Sequence, residues 1–194
     1  MANKIYEIPV IETARLVLTL PDVDEAPRLV TYIKDNVEHL APWSPPRPEK
    51  YYTEDFWREK LLASQEDFRQ GKALELVLFS KETPLGSIVG QCSFTGISRG
   101  PFQACYLGYN LDYRAVGHGY MFEALTGAIA YVFDDLKLHR IMANYIPTNE
   151  RSAKLLRRLN FLTDGYSRDY LFIAGRWQDH VLTSLTNYEM TTVT

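Results

Sequence analysis

Ala104-Cys105-Tyr106-Leu107-Gly108-Tyr109-Asn110-Leu111-Asp112-Tyr113-Arg114-Ala115-Val116-Gly117-His118-Gly119-Tyr120-Met121-Phe122 changes its periodicity partway along. The first eight residues, apolar and aromatic, read as a strand. After Gly119 the period becomes 3.6, and Met121, Phe122, Leu125, Ala128, Ile129, Val132 and Phe133 fall on one helical face. Between strand and helix lies Arg114-x-x-Gly117-x-Gly119. Glycines let the backbone turn tightly and approach a ligand, and the helix that follows offers unpaired N–H groups and the positive end of its dipole. That combination suits a phosphate or pyrophosphate. It lacks the Lys-Ser/Thr of a nucleotide-hydrolysing loop and the G-x-G-x-x-G spacing of a dinucleotide fold.

Working outward, Ile141–Ile146 reads as a strand that closes a βαβ-like unit around this helix. A helix beginning near Asn149 follows, with Leu155, Leu156 and Leu159 on one side and Arg151, Lys154, Arg157 and Arg158 on the other. Two strands, about Thr163–Ala174 and Trp177–Asn187, meet at Gly175. On the N-terminal side, Arg15–Leu20 reads as a first strand. A helix capped by Asp24 then runs to about Asn36, and a second, capped by Thr53, continues to Gly71. Between these helices Ala41–Pro48 holds four prolines in eight positions and is expected to be an extended loop carrying Trp43. Ala73–Phe79 and Ile88–Phe94 read as strands joined by a turn at Thr83-Pro84-Leu85-Gly86. Strand, two helices and then a meander is not the alternation of a doubly wound parallel sheet. The expected class is α/β of the α+β type: a mixed, mostly antiparallel twisted sheet with helices on both faces.

Composition narrows the function. The 194 residues suit one domain, 1–194 with a core over about 12–187, and the 25 aromatics (13 Tyr, 9 Phe, 3 Trp) require burial. A net charge of −3 argues against phosphate-driven binding of nucleic acid. Cys92 and Cys105 are too few for a disulfide framework and read as small buried residues in a reducing compartment. No apolar run reaches the roughly 18 residues of a membrane span, and no signal-peptide stretch opens the chain. A cytoplasmic protein without membrane contact is expected. His39, His139 and His180 form no metal spacing, so no metal is expected.

Arg114-x-x-Gly117-x-Gly119 in this setting resembles the acetyl-coenzyme A signature of the GNAT acetyltransferases. The resemblance covers about Glu12 to Asn187. Glu12-Thr13-Ala14-Arg15-Leu16, Pro42-Trp43, Gly119–Leu125, His139–Tyr145, Asn149-Glu150-Arg151-Ser152 and Asp169-Tyr170-Leu171 are similar to the RimJ/RimL branch, and most closely to members that acetylate the N-terminal alanine of a small-subunit ribosomal protein.

The resemblance implies a V-shaped splay between two central parallel strands, Ala104–Leu111 and Ile141–Ile146, that holds acetyl-CoA. It implies pyrophosphate binding by the backbone of Arg114, Ala115, Val116, Gly117, His118, Gly119 and Tyr120. The pantetheine arm would lie along Tyr109, Asn110 and Leu111, with Asn149 on its other side and an N–H near Leu111 polarising the thioester carbonyl. Where some relatives carry a glutamate base, this chain has Tyr106, whose reference pKa of about 10 disqualifies it at neutral pH. The resemblance instead makes Asp169 the base, Ser152 a proton donor to the leaving thiolate, and Trp43 and Tyr106 contacts for the peptide. The implied partner is the N-terminus of a ribosomal protein, with possible association with a ribosomal subunit and a monomeric or weakly dimeric state. Two alternatives stay open: a small-molecule amine as acceptor, and a ribosome-associated assembly protein.

Overall fold

The computed structural model describes residues 7–82 and 86–191, so most of the expected Thr83–Gly86 turn lies outside the described residues. Among these residues the chain forms one eight-stranded sheet in the order β1-β2-β3-β4-β5-β6-β8-β7. The strands are β1 (Val10–Glu12), β2 (Leu16–Thr19), β3 (Leu74–Ser80), β4 (Ile88–Ser98), β5 (Ala104–Leu111), β6 (Arg140–Tyr145), β7 (Leu162–Ile173) and β8 (Arg176–Thr186). The helices are α1 (Ala26–Asp35), α2 (Val37–Leu40), α3 (Glu54–Arg69), α4 (Tyr120–Asp134) and α5 (Glu150–Arg158).

The sheet is buried on both sides at β3, which is why that strand reads as a nearly continuous apolar run. Leu74, Leu76 and Leu78 enter the core shared with Met121, Leu125 and Ile129 of α4. Val77, one residue out of step, packs with Leu29 and Ile33 of α1 and with Trp57 and Leu61 of α3. Thr53 caps α3 by accepting a hydrogen bond from Phe56 N–H at 3.4 Å, as its position before the apolar pattern requires.

Three local expectations are corrected. Asp24 does not cap α1: it sits inside a 3₁₀ turn, Val23–Glu25, which runs straight into the helix and leaves the cap to Glu25 without a side-chain bond. The proline segment is not extended throughout. Ala41–Trp43 is a 3₁₀ turn continuing α2, and the chain is extended at Ser44 and again at Pro48. β1 escapes the pattern reading because three residues are too short to show alternation, and the sheet pairing Val10↔Thr19 creates it.

The central splay has a simple origin. β5 and β6 are parallel partners only over Ala104↔Arg140, Cys105↔Ile141 and Tyr106↔Met142. Beyond that, β5 keeps its antiparallel register with β4 as far as Leu111↔Gly90, and β6 keeps its own with β8 as far as Tyr145↔Val181. Each strand follows its outer neighbour, and the twist of the sheet drives the two apart.

Candidate active site

Along β5, backbone N–H groups alternate between the two neighbours. Asp112 N–H bonds the Val89 carbonyl on the β4 side at 2.8 Å, so those of Tyr109 and Leu111 point the other way, into the splay. Side chains alternate as well. Gly108 and Asn110 face the α1/α3 side, where the Tyr32 hydroxyl donates to Asn110 Oδ1 at 2.6 Å. Tyr109 faces the α4/α5 side and meets Ser152 of α5, Oη to Oγ 2.5 Å. Burial pushes the Tyr109 phenol up to about 12 although the Ser152 hydrogen bond pulls the other way, so it holds its proton at neutral pH.

The turn after β5 is rigid. Asp112 is buried and accepts from Arg114 N–H at 2.8 Å, Arg114 Nε at 2.9 Å, Arg114 Nη2 at 2.8 Å and Asn36 Nδ2 at 3.2 Å. Burial alone would raise its pKa, but these bonds outweigh it and hold the carboxyl below the usual carboxylate range. Ala115 N–H bonds the Asp112 carbonyl at 2.9 Å. The N–H groups of Arg114 and Ala115, expected to receive an anion, are therefore already committed to Asp112, and both residues lie outside the cavity lining. The asparagine of α1's C-terminus makes this possible: Asn36 Oδ1 also accepts from Tyr113 N–H at 2.9 Å.

The open donors come later. Gly117 and Gly119 have φ of +91° and +82°, a region that L side chains rarely adopt, and these two reversals turn the chain into α4. Gly119 caps α4 with no side chain, and the first helical bond runs from Glu123 N–H to the Gly119 carbonyl. The N–H groups of Tyr120, Met121 and Phe122 thus have no partner inside the helix. Asn149 caps α5 by accepting from Ser152 N–H at 3.1 Å.

A cavity of about 790 Å³ passes through the splay. Val116, Gly117, Gly119, Tyr120, Asn149 and Ser152 line it, together with Arg151, Lys154 and Arg158. Asn110, Leu111 and Tyr109 of β5 line it too, as do Trp43, Arg47, Lys60, Glu75 and Ser93. Of the residues expected from sequence, the structure therefore gathers Asn110, Leu111, Val116, Gly117, Gly119, Tyr120, Asn149, Ser152 and Trp43 around one space. His118 stays outside it; its carbonyl accepts from Arg15 Nη1 at 3.1 Å. Tyr106 is 45% exposed and also lies outside the lining. Asp169 is exposed at an irregularity between Ser167 and Leu171, with φ +46°, and its N–H donates to Asp179 Oδ1 at 2.9 Å. The bulge turns Asp169 outward and Tyr170 toward Asn144. Glu75, Ser93 and the pairing of the Tyr109 hydroxyl with Ser152 are not visible in the sequence reading, which places Tyr109 only by its backbone. The strand alternation that puts Tyr109 opposite Gly108 was the available signal.

Both cysteines are free and buried, and burial pushes each thiol up to about 12. Among the described residues no helix is long and apolar enough to cross a membrane, and no group of three or more His, Cys, Asp or Glu is placed to hold a metal ion.

Known proteins share this fold. The family model described as "Acetyltransferase (GNAT) domain" matches residues 15–162. The "[Ribosomal protein uS5]-alanine N-acetyltransferase" of Escherichia coli is 44% identical over 179 residues, covering 92% of this chain and 91% of that protein. The crystal structure of the ribosomal-protein-S5-alanine acetyltransferase of Vibrio fischeri superposes with a TM-score of 0.90 at 36% identity, covering 95% of this chain and all of that one. Mycobacterium smegmatis RimJ, solved with CoA-disulfide, shares the fold with a TM-score of 0.86 at 22% identity, over 98% of this chain and 92% of that one. A splayed parallel pair, a glycine turn opening a helix and a family match across most of the chain lead to one conclusion: this chain belongs to the GNAT acetyltransferase family.

Proposed function

We propose that this enzyme transfers the acetyl group of acetyl-CoA to the α-amine of an N-terminal alanine on a ribosomal protein of the uS5 type. The 44% identity to the Escherichia coli enzyme over 92% of the chain carries the acceptor assignment. The cavity geometry supports the cofactor assignment.

The N–H groups of Gly117, Gly119, Tyr120, Met121 and Phe122, with the α4 dipole, suit the pyrophosphate. The outward N–H groups of Tyr109 and Leu111 suit the pantetheine amide and the thioester oxygen, where a donor aimed at the developing oxyanion lowers the barrier. Asn149 borders the same channel. On the leaving side the Tyr109–Ser152 pair holds a proton next to the expected position of the sulfur and returns it to the thiolate. The raised thiols of Cys92 and Cys105 are poor nucleophiles at neutral pH, which supports direct attack by the amine in a ternary complex over an acyl-enzyme.

An α-amine has a pKa of about 7.7–8.0, so part of it is neutral in the cell. An acetylation assay on peptides starting with Ala, Ser, Met and Thr, and on a polyamine, tests the acceptor. Preference for the alanine peptide is expected; preference for another terminus or for the polyamine overturns the assignment.

A further inference from the structure

The cavity lining contains a carboxylate with no role so far. Glu75 is the acidic residue among those that line the cavity, where the other ionisable side chains include Arg47, Lys60, Arg151 and Arg158. It is one-quarter exposed and accepts from Lys60 Nζ at 2.5 Å.

Its position in the sheet gives it meaning. Glu75 pairs with Ser93, and Ser93 pairs with Gly108. Directly opposed residues project from the same face, so the three make one row across β3, β4 and β5 on the α1/α3 side. Strands lie about 4.8 Å apart, which puts Ser93 midway between the carboxylate's strand and the strand bordering the splay. The row ends in a residue without a side chain: a Cβ on Gly108 would come within 3.3 Å of Ser93 Oγ. A small acceptor group can therefore approach the splay edge beside the serine hydroxyl. Tyr109, next along β5, faces the opposite side with Ser152.

We propose that Glu75, acting through Ser93, takes the proton that the acceptor amine sheds. The proposal rests on the acetyltransferase reading above. The α-ammonium gives a proton to Ser93 Oγ while the serine proton passes to the Glu75 carboxylate, and the freed nitrogen lone pair attacks the thioester carbon. The C–N bond forms, the nitrogen sheds its second proton to water in the open cavity, and the C–S bond breaks. The thiolate takes a proton from the Tyr109–Ser152 pair on the other face of β5, and both proton carriers re-equilibrate with solvent once the products leave. Deprotonation and leaving-group protonation are thus separated by the strand itself. Lys60 keeps the Glu75 carboxylate oriented along the row.

The test is a pH–rate series with acetyl-CoA and an alanine-starting peptide on the unmodified chain, Glu75→Gln, Glu75→Asp, Ser93→Ala and Lys60→Met. Glu75→Gln is expected to lose about 10²-fold in kcat at pH values well below the amine pKa, with the loss shrinking as the amine deprotonates unaided. Its acetyl-CoA Kd should match that of the unmodified chain. Glu75→Asp should restore the shape of the profile. Ser93→Ala should show the same shape as Glu75→Gln with a smaller loss, because water can fill the gap, and it reads the same path should Glu75→Gln fail to fold. Lys60→Met breaks the same ion pair and should lower Tm like Glu75→Gln while keeping the shape of the unmodified profile. A Glu75→Gln profile superimposable on the unmodified one, or parallel losses in Glu75→Gln and Lys60→Met at every pH, overturns the proposal. An unmodified chain that acetylates none of the amines offered overturns the acetyltransferase reading itself, a result visible before any variant is made.

Discussion

Arg15 and Glu123 are locked together across 108 residues of sequence: Arg15 Nε donates to Glu123 Oε2 at 2.7 Å. Arg15 N–H and the Thr13 hydroxyl reach Oε1 of the same carboxylate at 2.7 and 2.6 Å. The Arg15 guanidinium also lies 4.3 Å from the Tyr120 ring centroid and bonds the His118 carbonyl. The start of β2 thus grips the first turn of α4 and the loop before it from behind. Loosening this grip should cost cofactor affinity. For Glu123→Gln we expect KM for acetyl-CoA to rise about tenfold, the effect of losing one charged anchor worth about 1.4 kcal/mol, with kcat at saturation unchanged. An unchanged KM removes the clamp from cofactor binding.

The same carboxylate sets an acid limit. Burial would raise the Glu123 pKa, but the hydrogen bonds from Thr13 and Arg15 prevail and lower it. A carboxyl lowered on folding stabilises the native state above its unfolded pKa, about 4.3, and loses that contribution as pH falls through the folded value. At neutral pH Glu123→Gln should therefore melt below the unmodified protein, and the gap should close in acid. Melting curves from about pH 3 to 7 check the sign.

Gly117→Val should abolish acetyl-CoA binding without unfolding the protein. An added Cβ meets nothing within 4 Å, so the damage is local: strain at φ +91° and a side chain over the backbone donors. The left-handed region costs an ordinary residue about 1–2 kcal/mol, within the margin of a typical domain. Calorimetry with CoA on the folded variant is the measurement; unaltered affinity contradicts the site.

Tyr109→Phe should depress turnover by about 10²-fold or more while leaving CoA affinity within about twofold, if the phenol serves the leaving thiolate as proposed. Ser152→Ala should cost less, and the double variant should be little worse than Tyr109→Phe, since the two hydroxyls form one unit. Additive losses would show that they act separately.

Asp169→Asn should leave the pH–rate profile as it is, because the side chain is exposed on β7 and outside the cavity lining. A profile shifted toward higher pH in this variant would instead place the peptide across the β7 bulge.

The local pattern was sufficient for much of this protein. The switch of period at Gly119, the cap at Thr53, the cap at Asn149 and the strand Ala104–Leu111 are short-range features, decided by side-chain alternation, missing N–H partners and glycine's freedom at positive φ. They also place the glycine turn between the end of β5 and the start of α4. What the sequence could not decide depends on distant strands. Asp169 and Tyr170 are neighbours, and only the irregular pairing of β7 with β8 determines which of them turns outward. The Arg114 N–H is expected to receive the pyrophosphate, yet Asp112, held by Asn36 at the end of α1, already takes it together with the guanidinium. Glu75, Ser93 and Gly108 lie on three separate strands and share a row only because the sheet registers align them. Hydrogen-bond register is a property of strand pairs, and no single strand's sequence contains it.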